Sequence, residues 1–236
     1  ELPVLILGIL SVRYLMIPSL SHPPEASWRS QCKHNLKRIG LGVYNLSDTE
    51  RFTPASGQPA VSWRVTILSW LDVKDLAQGY SPAQAWDSME NQEVGERDPR
   101  PFRCPSHVEL TRHGPWACTD YALLTGPGTI FPTSDSAFDA NTIRDGTSNT
   151  ILVVECPGQK IPWTEPRDVQ IADVTMDVNR LGKDGTSPSV ASSYHPPHQA
   201  HVLFGDGSVR MLSADISHDT LRALSTANGN DEVGDF

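Results

Sequence analysis

Apolar residues dominate positions 2–20 of the chain, and Arg13 is the one charge among them. The run approaches the roughly 20 residues that an α-helix needs to cross a bilayer. It predicts a helix that is greasy on every side. Pro23 and Pro24 remove backbone donors and clash with the preceding turn, so a kink or break is expected near His22. Helical periodicity then returns over residues 25–46. Trp28, Cys32, Leu36, Ile39 and Val43 recur at steps of three and four, while Arg29, Lys33, Lys37 and Arg38 lie mostly elsewhere. The pattern predicts one long, proline-interrupted helix whose first half meets lipid or sister helices and whose second half meets a folded domain.

From Phe52 onward the texture changes. TPASGQP reads as a loop, and SWRVTILSWL as a helix or a buried strand. AWDSMENQEVGERDPRPF is polar and turn-rich. TDYALLTGPGTIF predicts a strand, a Gly-Pro-Gly turn and a second short strand. In DGTSNTILVVE, a turn at Asp145 and Gly146 precedes a β-branched run at 150–154 that suits a central strand. Residues 157–189 read mostly as loop. HVLFGDGSVRML sets two apolar runs around Gly-Asp-Gly, the strongest hairpin pattern in the chain. HDTLRALSTAN predicts a closing helix with Gly229 as its C-cap. The expected fold is α+β: an apolar helix at 1–24, then at 25–236 an amphipathic helix packed on an antiparallel sheet with long loops.

Charge narrows the class of partner. Nineteen Lys and Arg against 28 Asp and Glu give a net charge of -9, which offers nucleic acid no basic footprint. Arg13 within the apolar run would cost about 2.5–3.5 kcal/mol on insertion scales unless it snorkels or finds a partner. The run opens on Glu1 in place of a positive n-region, so it reads as a membrane anchor rather than a cleaved signal. Both charges make sense if the helix can leave lipid and pack against copies of itself, carboxylate against cation.

The candidate chemistry is sparse. Cys32, Cys104, Cys118 and Cys156 lack CxxC spacing and allow three pairings. If the domain lies outside the cytoplasm, Cys104 with Cys118 is the expected pair, because Pro105, Gly114 and Pro115 suit a closed loop; free buried thiols are the other reading. His195, His198 and His201 follow one another at steps of three, but Pro196 and Pro197 keep them off a rigid helix, so they are weak metal candidates in a loop. Asp139, Asn141 and Asp145 lack the glycine and terminal glutamate of an EF-hand. Asp206 with Gly207, like Asp145 with Gly146, fits a turn better than catalysis. Cys104 lies near His107 and His113 in sequence, with no nucleophile and base recognisable, and GxSxG, Walker and GxGxxG patterns are absent. The chain reads as a non-enzyme with no cofactor.

The opening run followed by EASWRSQCKHNLKRIGLGVYNL resembles the N-terminal region of a large, uncharacterised bacterial family of planctomycete type with a prepilin-like helix. Glu1, Pro18, Glu25, Ala26, Arg29, Gln31, Cys32, Asn35, Leu36, Lys37, Ile39 and Gly40 look like counterparts of that pattern. The likeness continues through SWRVTILSWL, AWDS, FRCPS, TDYALLTGPGTIF, DGTSNTILVVE, PWTEP and VLFGDGSVRMLSADISHDTLRAL. The family ends in a His-x9-Asp-Gly pattern, whereas ten residues separate His195 from Asp206 here, HPPHQAH replaces the usual turn, and Pro23, Pro24 and Cys156 also depart.

The resemblance implies a type IV pilin-like or pseudopilin-like filament subunit, anchored in the inner membrane with its domain outside, then assembled into an extracellular filament or periplasmic pseudopilus. Glu1, Arg13 and Pro18 would serve assembly, with further copies of the chain, other pilin-like subunits and the assembly machinery as partners. The same family also resembles extracellular solute-binding proteins. That likeness implies the alternative of a membrane-tethered ligand-binding domain, with Trp63, Trp70, Trp86, Trp116 and Trp163 as candidates to line a carbohydrate or peptide cleft.

Overall fold

The computed structural model describes residues 24–106, 111–180, 188–196, 199–231 and 233. The run at 2–20 with Glu1, Arg13 and Pro18, the break near His22, and His107 and His198 lie outside the described residues. Among the described residues, no helix is long and apolar enough to cross a membrane.

Helix α1 (Pro24–Thr49) carries the predicted stripe. Cys32, Leu36, Ile39, Val43 and Leu46 are buried, and Lys33 and Lys37 are exposed. After it come β1 (Ala55–Ser56), β2 (Val61–Ser62) and the short helices α2 (Trp63–Thr66), α3 (Lys74–Gly79) and α4 (Met89–Gly95). SWRVTILSWL thus resolves into a strand end, a capped helical turn and a 3-10 turn, because the Ser62 hydroxyl accepts from the Arg64 amide and stops β2. The turn-rich stretch after it holds α4, which Ser88 caps through the Asn91 amide.

Strands β3 (Arg112–His113), β4 (Trp116–Thr119), β5 (Tyr121–Thr125), β6 (Ile151–Glu155), β7 (Ile161–Pro162), β8 (Val169–Gln170), β9 (Thr175–Val178), β10 (Ser189–Ala191), β11 (Gln199–Phe204) and β12 (Val209–Ser213) follow, then helix α5 (His218–Ser225). The main sheet has the order β12-β11-β6-β5-β8, antiparallel except for the parallel β5–β8 edge. β6 is central, as its β-branched run predicts. The expected second strand of TDYALLTGPGTIF shrinks to a single parallel bridge between Thr125 and Phe131. The expected loop at 157–189 contains β7, β8 and β9, the last pairing in parallel with β10.

Both faces of the sheet are covered, which is why every residue of β5 and β6 is buried. Tyr121, Leu123, Val153 and Leu203 pack with Leu36, Ile39 and Val43 of α1; Ala122, Leu124, Val154, Val202 and Phe204 pack with Leu221 and Leu224 of α5. Each fully buried aliphatic side chain on α1 contributes about 1.5–3 kcal/mol relative to exposure. Gly40 sets the closeness of this contact, since a Cβ there would stand 3.2 Å from Leu203 Cδ1.

The β11–β12 hairpin turns as expected. Gly207 has φ +77° and its amide donates to the Phe204 carbonyl at 2.9 Å. Asp206 accepts from the Ser208 amide at 2.8 Å, a structural use of its carboxylate. Lys37 Nζ of α1 donates to the Gly207 carbonyl at 2.7 Å, and the Tyr44 hydroxyl to that of Gly205.

Two expectations need correction. The C-cap of α5 is Thr226, in extended backbone, while the amides of Gly229 and Asn230 donate to Asp145 at 2.6 and 2.8 Å. Cys104 pairs with Cys32, at a Cα separation of 5.4 Å, and not with Cys118. The stripe of α1 lowers Cys32 onto the Cys104 loop, whereas β4 carries Cys118 away to pair opposite Pro162 of β7. Cys118 and Cys156 are free and buried.

Candidate functional site

The early turns of α1 cross the main sheet where β6 ends and β11 begins. Side chains alternate along a strand, so Glu155 shares with Val153 the face that looks at α1. A carboxylate thereby closes a buried apolar strand. Its Oε2 is held on β11, accepting from the His201 amide at 2.6 Å and standing 3.2 Å from His201 Nδ1. Its Oε1 is buried and, among the described residues, has no hydrogen-bond partner, only a 3.7 Å ion-pair approach from His195 Nε2. A buried polar atom left so costs about 1–3 kcal/mol.

His195 sits just before β11, 1% exposed. Its amide donates to Ser193 Oγ at 3.1 Å. The ring Nδ1 faces Glu25 Oε1 of α1 at 2.6 Å and Ser106 Oγ at 2.8 Å. Its Nε2 lies 3.2 Å from Cys104 Sγ and 3.7 Å from Glu155 Oε1. Ser106 Oγ in turn reaches Glu25 Oε2 at 3.2 Å, and Arg29 Nε reaches Glu25 Oε1 at 3.2 Å. One donor atom from each of Cys32, Cys104, Glu155 and His195 lies within 4.8 Å of the others, and all four residues are buried.

The electrostatics follow from this enclosure. Burial pushes the Glu155 carboxyl up, but the imidazoles of His195 and His201 outweigh it and hold it below the usual carboxylate value. Burial pushes His195 down, and the carboxylates of Glu155 and Glu25 hold it above the ordinary imidazole value. Glu25 also falls below its usual value; its slight burial opposes this, and His195 and Arg29 prevail. The cluster suits a cation between two carboxylates.

Of the histidines singled out in the sequence, His195 and His201 come together, ring centroids 5.3 Å apart. Both are buried and hydrogen-bonded, His195 in the loop before β11 and His201 on β11 itself. The tryptophans do not share a cleft: Trp63 and Trp163 are core residues flanking Phe102, Trp86 meets Trp116 at 5.4 Å, and Trp70 is 43% exposed. A cleft of about 340 Å³ instead opens beside α1, lined by Trp28, Gln31, Asp98, Arg100, Arg103, Cys104 and Pro105. Glu25, Cys32, Ser106 and Glu155 do not stand out as site residues in the sequence. The available clue is Glu155, a charge ending a run that had to be buried.

A family model described as a protein of unknown function (DUF1559), with the short name SBP_bac_10, matches residues 22–219. The chain belongs to this family. The matched region contains every residue of the cluster described above, from Glu25 to His201. No curated protein and no solved structure matches the chain.

Proposed function

We propose that the chain is a structural subunit of a type IV pilin-like or pseudopilin-like filament of the cell envelope, without catalytic activity. The supporting observation is α1: its inner stripe is buried in the domain's own core, and in sequence it follows directly on the apolar run at 2–20. A domain joined in this way to an apolar segment fits a subunit that is first held in the inner membrane and then polymerises through that segment. The disulfide between Cys32 and Cys104 fits a domain outside the cytoplasm. The partners in this reading are further copies of the chain, other pilin-like subunits and the assembly machinery, and not nucleic acid.

The cleft beside Trp28, with Arg100 and Arg103 on its wall, favours a second reading: a tethered domain that captures a small ligand. Electron microscopy separates the two. Natively extracted full-length protein is expected to form helical filaments, and a variant reduced to residues 24–236, which keeps α1 and Glu25, is expected to form none. Monodisperse particles from both samples would refute the filament reading and turn the search to ligands of the cleft.

A further inference from the structure

We propose that Cys32, Cys104, His195 and Glu155 form a binding site for a zinc-class divalent cation, which opens when the Cys32–Cys104 disulfide is reduced. Two thiolates, an imidazole and a carboxylate make a donor set that tetrahedral zinc takes. Their donor atoms already lie within 4.8 Å of one another, and bond lengths of about 2.0–2.3 Å bring such donors to roughly 3.3–3.8 Å apart.

The orientation of each ligand points the same way. His195 turns Nε2 inward while its Nδ1 is held by Glu25 and Ser106, the outer carboxylate contact that fixes a metal-binding imidazole. Glu155 turns Oε1 inward while Oε2 is held by the backbone and ring of His201. That inward oxygen is buried and, among the described residues, has no hydrogen-bond partner, its nearest charged neighbour being His195 Nε2 at 3.7 Å. A cation between the two would give both inward atoms a close partner. Cys32 stands on α1 and Glu155 on the central strand, so both are held by rigid elements. Of the four, Cys104 also lines the cleft beside Trp28.

Disulfide and cation exclude one another, because bonded sulfurs carry no thiolate charge. A dithiol reduces the pair, leaving as its own disulfide and giving one thiol on each cysteine. The cation then displaces a proton from each thiol, and the Nε2 proton of His195 where the ring carries one.

The test uses the full chain, zinc or cobalt alone as probe, and a trialkylphosphine as reductant, which becomes its oxide with oxygen from water and does not compete for zinc as a dithiol would. Reduced protein is expected to hold one zinc per chain, at least about 100-fold more tightly than oxidised protein, and to give thiolate-to-cobalt charge-transfer absorption with cobalt. Glu155→Gln is expected to weaken zinc by about 100-fold, and Glu25→Gln, at the less buried outer position, by about 10-fold. Equal zinc content in reduced and oxidised protein would overturn the proposal. So would wild-type affinity in both variants, which would place the cation elsewhere. Should Glu155→Gln fail to fold, the redox comparison, the cobalt spectrum and Glu25→Gln still decide.

Discussion

Asp168 shows how much of this domain rests on single buried atoms. Its Oδ1 accepts from Arg64 Nη2 at 2.8 Å, Trp63 Nε1 at 2.9 Å and the Leu123 amide at 3.0 Å. Burial pushes its carboxyl above the usual value, against the pull of the Arg64 guanidinium. Asp168→Ala leaves a buried guanidinium without its carboxylate and the Trp63 and Leu123 N–H groups without their acceptor, and should lower the unfolding free energy by about 3–5 kcal/mol, read from the urea midpoint. Cysteine labelling tests the disulfide at the same scale. Burial pushes the Cys118 thiol up to about 12, and Cys156 is raised by burial too. Unreduced native protein at pH 8 should therefore take no iodoacetamide, and unfolded, unreduced protein should be labelled at Cys118 and Cys156. Labels on Cys32 and Cys156 would restore the Cys104–Cys118 pairing. None of this is legible residue by residue, since a cysteine's spacing says nothing of which helix will be lowered onto it.

Elements were legible where one segment's own pattern decides its form. The 3.6-residue stripe of α1, the β-branched run of β6 and the Gly-Asp-Gly turn of the last hairpin each carry their instructions locally. Failures came where a residue serves a distant neighbour. Gly229 looked like a helix cap, but its amide is taken by Asp145, 84 positions away. The turn-rich stretch hid α4 because its support is a buried side chain: Asn91 accepts from the Ser81 amide and donates to the carbonyls of Ser81 and Ala85. Gly40 reads as a blemish in a helix until the sheet is in place. Gly40→Val puts branched carbons against Leu203 and should destabilise the domain by about 1–3 kcal/mol in chemical denaturation, without loss of helical circular dichroism.

For the whole molecule, α1 is part of the core and not an appendage to it. A chain starting at Pro24 retains every packing contact of the stripe with the described residues, so its thermal midpoint should match that of the full-length protein; a fall of many degrees would show that residues 1–23 support the fold. The sequence by itself determined the α+β class, the buried face of α1, the central place of β6 and the last hairpin. Those features depend on side chains a few positions apart. Only the tertiary structure decided that Cys32 pairs with Cys104, that the tryptophans scatter, and that Glu25 meets His195 across 170 positions beside a buried Glu155. The physical reason is that a helix and a strand end fix the direction of a side chain only relative to their own axis. Which donors then converge is set by how closely α1 packs on the sheet.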